Sequence, residues 1–241
     1  MDVKMNVKDL KEITDLLLTL VTEAKFEFTK KGFSVKCVDP AHVAMIVLDL
    51  PKDAFLEYNV PEDTEIGVDL EKIKDFLKTS SSSDVIELKK EDSRLTLVVG
   101  NLSRSMPTID PSSMTVPKVP SLGLPTRAVI PSEQFIDGIK AAENISDNIT
   151  LHITPNEFRL YTKGDEDSSN LVIPKDLLKE LKCDQEAKSL YPVDYLLKFT
   201  KAVNSDYLTI NLGTDYPVKI DFTFSNGKGQ GIFLLAPRIE E

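Results

Sequence analysis

The residues with the most chemical reach in this sequence are two histidines, two cysteines and a few acidic clusters. His42 follows Asp39 closely enough to form half of an acid–base pair. Pro40 lies between them and no nucleophile is close in sequence, so a surface or structural histidine is the better reading. His152 alternates with Leu151 and Ile153, which places it on the solvent face of a strand. Cys37 and Cys183 are far apart, and neither belongs to a Cys-x-x-Cys pair. The two His and two Cys lack the paired spacing of a structural zinc site, so none is expected. Asp165-Glu166-Asp167 offers carboxylates to a cation but lacks the calcium-loop spacing, and reads as a solvated loop. Gly227-Lys228-Gly229-Gln230-Gly231 has the glycines of a phosphate loop without the helix that must follow, so it reads as a hairpin tip. There is no Walker loop, no Gly-x-Ser-x-Gly elbow and no His-Glu-x-x-His. Binding or scaffolding is therefore expected rather than catalysis, with no cofactor and no metal.

Composition bounds the rest. A chain of 241 residues holds two small domains or one large one, and 41% hydrophobic content is enough for a real core. No apolar run approaches the roughly 20 residues that span a bilayer. Met1-Asp2-Val3-Lys4 lacks a signal-peptide pattern, which favours an intracellular home and makes the Asn-x-Ser/Thr triplets at Asn101, Asn144 and Asn148 chance matches. A net charge of −10 argues, taken alone, against a nucleic-acid binder.

The elements that must position any site fall into two similar halves. Phe26 and Phe28 alternate ahead of Gly32-Phe33, and Leu151 and Ile153 alternate ahead of Glu157-Phe158, an offset of 125 residues. Pro51-Lys52-Asp53 returns as Pro174-Lys175-Asp176, Val68-Asp69-Leu70 as Val193-Asp194-Tyr195, and Asp84–Leu88 as Asp206–Ile210, in the same order. Between the halves, Pro107, Pro111, Pro117, Pro120, Pro125 and Pro131 exclude a helix or a central strand. Domains over 1–113 and 128–241 are expected, joined by an extended connector over 114–127 whose Leu122 and Leu124 are apolar anchors.

Helical periodicity marks four segments. They are Asp9–Ala24, Glu71–Lys78, Ser132–Asn144 with Ser132 as cap, and Pro192–Val203 with Pro192 in the first turn. The remainder alternates as short strands, with Asn226-Gly227 the strongest hairpin signal. The expected fold class is α+β, two similar domains each of sheets backed by two helices.

Several motifs carry a family resemblance. Phe233-Leu234-Leu235-Ala236-Pro237-Arg238-Ile239-Glu240-Glu241 is similar to the C-terminus of sliding clamps of the proliferating cell nuclear antigen (PCNA) type. Val38-Asp39-Pro40-Ala41-His42-Val43 resembles that family's loop, Leu122-Gly123-Leu124-Pro125 its interdomain connector, and Phe199-Thr200-Lys201-Ala202 its last inner helix. The resemblance runs end to end, and the tail looks archaeal.

That resemblance implies a DNA clamp fold assembled as a pseudo-six-fold homotrimeric ring, with helices lining the hole and strands outside. The ring would encircle duplex DNA without reading sequence. It would tether DNA polymerase, a nuclease and a ligase through short peptide motifs, be opened by a clamp loader, and do no chemistry. An archaeal clamp would be cytoplasmic and nucleoid-associated. The DNA-facing positions implied are Lys11, Lys74, Lys78, Lys140, Lys198 and Lys201. Glu12, Leu18, Asp75 and Asp137 stand where eukaryotic relatives carry Lys or Arg, so the lining reads as less positive. Topology relaxes the demand for affinity: a mild positive lining attracts a backbone with one charge per ~1.7 Å without trapping it, and an acidic exterior discourages non-specific binding. Lysine suits this as a mobile point charge.

The partner-peptide groove implied comprises Val38, His42, Val43, Met45, Leu122, Leu124, Pro125, Pro217, Leu234, Leu235, Ala236 and Pro237. Its ligand would be a short peptide bearing a glutamine, an aliphatic residue and two aromatics. The subunit interface implied pairs the edge strand near Ser103–Ile109 with that near Ser168–Ile173 of the next protomer, using Arg104, Met106, Ser169 and Leu171, with Arg104 paired to Glu133 or Asp137. Two alternatives remain at this stage: a clamp-like scaffold that assembles only as one subunit of a heterotrimeric ring, and a two-domain enzyme using His42.

Overall fold

The computed structural model describes Met1–Ile239; Glu240 and Glu241, which close the C-terminal motif, lie outside the described residues. The chain divides into two compact units, Met1–Lys118 with Thr223–Gly231, and Val119–Phe222 with the residues from Ile232 on.

The first unit contains β1 (Asp2–Asn6), α1 (Val7–Leu17), β2 (Glu23–Thr29), β3 (Gly32–Val38), β4 (Ala44–Pro51), β5 (Glu57–Asn59), β6 (Thr64–Asp69), α2 (Leu70–Leu77), β7 (Val85–Glu91), β8 (Arg94–Val99) and β9 (Leu102–Pro107). Its strands run antiparallel in the orders β5-β1-β7-β8-β9 and β4-β3-β2-β6. The alternation at Phe26, Phe28 and Phe33 buries all three rings against one another, with centroids 5.0–6.5 Å apart.

Helix α1 is shorter than its periodicity predicts, starting at Val7 and ending at Leu17 rather than spanning Asp9–Ala24. Asn6 is extended and stands at the cap, so Asp9 falls in the first turn, where the exposed amide dipoles favour a carboxylate. At the far end the Thr19 hydroxyl donates to the Leu16 carbonyl at 2.6 Å, and the β-branched Val21 and Thr22 lead into strand β2. Helix α2 is capped by Asp69, which accepts from the Lys72 amide at 3.0 Å.

The second unit contains β10 (Thr126–Pro131), α3 (Ser132–Ala142), β11 (Asn148–Ile153), β12 (Glu157–Lys163), β13 (Ser168–Pro174), β14 (Glu180–Cys183), β15 (Ala187–Pro192), α4 (Val193–Ala202), β16 (Tyr207–Leu212) and most of β17 (Val218–Phe224) and β18 (Gly229–Leu235), whose hairpin end Thr223–Gly231 belongs to the first unit. Strand orders are β13-β12-β11-β15 and β14-β10-β16-β17. Ser132 is not the cap that the sequence predicts. Pro131 ends β10 and occupies the cap position, and Ser132 is the first helical residue, its hydroxyl buried without a hydrogen-bond partner. Pro192 likewise sits at the cap of α4, one residue before the first turn. Both helices start directly off a strand that ends in proline, whose fixed φ suits either side of that junction.

Gly138 lets α3 approach its sheet. A Cβ there would lie 2.7 Å from Leu160 Cδ1 and 2.8 Å from Leu171 Cδ2. Residues 114–125 form no regular element. The stretch before them is tied to the first unit, where the Ile109 amide donates to the Gly67 carbonyl at 2.8 Å. The β17–β18 connection turns through three consecutive left-handed residues, Ser225, Asn226 and Gly227, with φ of 53°, 55° and 82°. Among the described residues, no helix is long and apolar enough to cross a membrane.

Candidate nucleic-acid interface and partner surfaces

Each unit presents two amphipathic helices that bury an apolar face on its sheets and leave a polar face in solvent. On α1, Leu10, Ile13, Leu16 and Leu17 are buried, while Lys8 and Lys11 are exposed, with Asp15 and Leu18 half-buried further along the same stripe. Glu12 does not join that stripe. It is 9% exposed, and its Oε2 accepts the Ser225 N–H at 2.9 Å. Burial pushes its carboxyl up from the ordinary glutamate range, partly opposed by that hydrogen bond. The acidic character that the sequence ascribes to this part of the lining is therefore lower than the residue count implies. Asp15 is engaged as well, since the Lys74 ammonium of α2 reaches its Oδ1 at 2.8 Å.

The expected DNA-facing lysines divide by their partners. Lys78 meets Asp75 at 2.8 Å, a contact that holds the Asp75 carboxyl down and the Lys78 ammonium up. Lys198 stands 3.8 Å from Asp194 and lies over the Tyr195 ring. Among the described residues, Lys11, Lys140 and Lys201 form no ion pair, and all three are exposed. Such faces attract polyanions weakly and without geometric selection, because ammonium groups on flexible stems make no bidentate contacts.

The Val38–Met45 segment is organised by Asp39. Its Oδ1 accepts the amides of Val43 and Ala44 at 2.7 Å each, and Oδ2 accepts that of Ala41 at 3.1 Å. The turn places His42 in the left-handed region at φ 57° and leaves its ring exposed, with Val38, Val43 and Met45 half-buried beside it. The Asp39–His42 proximity noted in the sequence thus serves loop geometry: the carboxylate is spent on backbone amides. Asp39 was not among the expected site residues; the signal was an aspartate ahead of a short Pro-Ala-His turn, a residue type that ties its side chain to nearby amides.

In the second unit, Leu124 and Pro125 pack beside Gly213, where an added Cβ would meet Leu124 Cδ2 at 3.1 Å and Pro125 Cδ at 3.5 Å. Tyr216 belongs to the same surface and is 56% exposed, its carbonyl held by the Tyr191 hydroxyl at 2.7 Å. Tyr216 escaped the sequence reading because a lone aromatic in a turn has no periodicity. Leu122, Pro217, Ala236 and Pro237 are half-buried, whereas Leu234 and Leu235 are buried at 5% and 0% exposure.

Strands β9 and β13 each pair on one side only within their units. Arg104 of β9 donates to the Lys72 carbonyl at 3.3 Å, and Met106 is buried. On β13, Leu171 faces Gly138 of α3, while Ser169 is half-buried. Glu133 and Asp137 are exposed on α3.

The remaining chemical candidates are occupied or inert. His152 Nε2 lies 2.7 Å from Glu186 Oε1. The Cys37 thiol is pushed up to about 12 by burial, and burial also raises that of Cys183, so neither supplies a thiolate near neutral pH. Among the described residues, no cluster of three His, Cys, Asp or Glu side chains is arranged to hold a metal ion.

The family model for the proliferating cell nuclear antigen N-terminal domain matches residues 3–110, and that for its C-terminal domain matches residues 119–238. The DNA polymerase sliding clamp of Thermoplasma acidophilum is 40% identical over 241 residues, covering 98% of each chain. That of Thermoplasma volcanium is 42% identical, covering 99% of this chain and all of the relative. A solved structure of Archaeoglobus fulgidus PCNA bound to the C-terminal region of FEN-1 superposes with a TM-score of 0.95 at 40% identity, covering 100% of this chain and 99% of that one.

Proposed function

The chain belongs to the proliferating cell nuclear antigen family, and on that premise we propose that it is a DNA sliding clamp that tethers DNA polymerase and other replication and repair enzymes and has no catalysis of its own. The observation that carries this is the tandem match of both clamp domains along the whole chain. Three identical copies close head to tail around duplex DNA, with domains at 1–113 and 128–241 joined by the 114–127 connector. Lys11, Lys74, Lys78, Lys140, Lys198 and Lys201 face the DNA. Because the link to DNA is topological, their contacts are weak, sequence-blind and sensitive to salt.

Ring closure uses the open sides of β9 and β13, which removes two unpaired edges per protomer. Arg104 exchanges its intramolecular carbonyl for Glu133 or Asp137 of the next copy, while Met106 and Leu171 brace the two strands from within. Partner peptides are taken by the Asp39-organised segment with Val38, His42, Val43 and Met45, and by Leu122, Leu124, Pro125 and Pro217 with the tail segment Leu234–Pro237. Polymerase, clamp loader, nuclease and ligase share this mode of docking. Such a clamp works in the cytoplasm at the nucleoid.

Polymerase product length on a primed circular template tests the reading: products lengthen when the protein is loaded, and equal lengths with and without it refute it. Mass in solution near three times 26.9 kDa from the pure chain supports the homotrimer. A ring that appears only with a second clamp chain identifies a heterotrimer instead.

A further inference from the structure

We propose that Lys8 is a further DNA-contacting residue, held for that task by the left-handed turn at Ser225–Gly227, which Glu12 pins to helix α1. The inference rests on the clamp reading and extends its DNA surface beyond the six lysines assigned above.

Lys8 precedes Lys11 by one helical turn on the exposed stripe of α1, so any backbone within reach of Lys11 passes beside Lys8. Its ammonium donates to Asn226 Oδ1 at 3.1 Å. The partner is neutral. Lys74, Lys78 and Lys198 each meet a carboxylate that cancels much of their field. Lys8 is instead oriented by an amide dipole; the Glu12 carboxylate attracts it through space but is buried and bonded to the Ser225 N–H rather than to Lys8, so the ammonium stays open to a phosphate.

Stability gives a lysine here only partial support, through its attraction to the buried Glu12 carboxylate. Lys8 occupies the first turn of α1, where the helix dipole opposes a cation. The turn that receives it is itself costly, since two of its three left-handed residues are not glycine. The structure meets that cost with a dedicated support: Ser225 is 1% exposed, and its N–H is satisfied by the buried Glu12 carboxylate 213 positions earlier in the chain. Glu12 is thus a positioning residue. It fixes Ser225, which sets the next residue, Asn226, against Lys8.

The test uses the assembled full-length protein and a short DNA duplex, with affinity followed by fluorescence anisotropy across a NaCl series. For wild type, log affinity falls linearly with log salt. Lys8→Gln should flatten that slope by about 1 for each protomer that touches DNA, with the protein still folded and assembled. Asn226→Ala and Glu12→Ala should each weaken binding several-fold, and Glu12→Gln, whose amide oxygen still accepts the Ser225 N–H, should restore wild-type binding. A Lys8→Gln slope equal to a clear wild-type slope overturns this inference and leaves the clamp reading standing. A wild-type protein without salt-dependent DNA affinity, combined with unchanged polymerase product length, overturns both.

Discussion

The Glu12 carboxylate meets the Ser225 amide at 2.9 Å inside the first unit, joining the polar edge of α1 to the tip of the β17–β18 hairpin. Its other oxygen is buried without a partner, and neighbouring Asp9 adds repulsion.

A consequence follows for stability against pH. Burial raises the folded carboxyl of Glu12 above its unfolded value, so in the window between the two the folded state binds more protons. Stability contributed by Glu12 is then greatest below the ordinary glutamate range and falls as pH rises through the raised value. Urea melts at several pH values between 4 and 7 should show wild type losing stability relative to Glu12→Gln as pH increases (the interval is about that where a shifted carboxyl titrates). A difference that stays constant or reverses removes Glu12 as the cause.

The Asp39 carboxylate carries three backbone amides, so Asp39→Ala leaves three donors competing for water in a tight turn. The expected cost is roughly 2 kcal/mol of stability, as for hydrogen bonds to a charged acceptor. Binding of a peptide with a glutamine, an aliphatic residue and two aromatics should weaken at least about tenfold, the equivalent of about 1.4 kcal/mol. His42→Ala, which removes no described hydrogen bond of the turn's carboxylate, should leave the melting temperature near wild type. Calorimetry on the two variants separates loop architecture from direct contact.

These residues also mark how far the sequence is legible. Strand alternation at Phe26, Phe28, Leu151 and Ile153 gives strands because period two is local and both faces differ in polarity. Asn226-Gly227 gives a hairpin because the left-handed region favours those two residue types. Helix ends are less legible: Ser132 and Pro192 each shift one place because the preceding strand, not the capping preference, sets where the helix begins. Glu12 could not be placed from spacing at all. It lies at the boundary between the apolar and polar faces of α1, and its direction is decided by Ser225, a partner remote in sequence. The lysines of the candidate DNA face were visible as a pattern, but which are neutralised depends on contacts between helices, such as Lys74 with Asp15.

Packing of α3 on its sheet yields a prediction for assembly. A Gly138→Ala methyl would press on Leu160 and Leu171, whose side-chain ends can shift only by disturbing the core around them. Overpacking of this kind costs about 1–3 kcal/mol. Leu171 belongs to β13, the strand proposed to pair with the next protomer, so the displaced edge should also loosen the trimer. Thermal unfolding should fall, and light scattering on dilution should detect subunits at higher protein concentration than for wild type. A variant that melts lower but dissociates at the wild-type concentration separates the helix packing from the edge.

Lys74 is held by the half-buried Asp15, and Lys78 by the exposed Asp75. An exposed pair such as Lys78–Asp75 adds only about 0–1 kcal/mol to stability, so its main effect is on the field above the helices. Asp15→Asn and Asp75→Asn each remove a negative charge and release a lysine. DNA affinity at low salt should rise several-fold in each variant, with a steeper salt dependence because more ammonium groups displace counterions. Tighter contact should also slow diffusion along DNA, since a clamp held by topology moves fastest when its lining grips least. Single-molecule tracking on stretched duplex measures this directly: a lower diffusion coefficient that recovers at higher salt is expected. Unchanged mobility together with raised affinity would mean that these lysines meet DNA outside the sliding state.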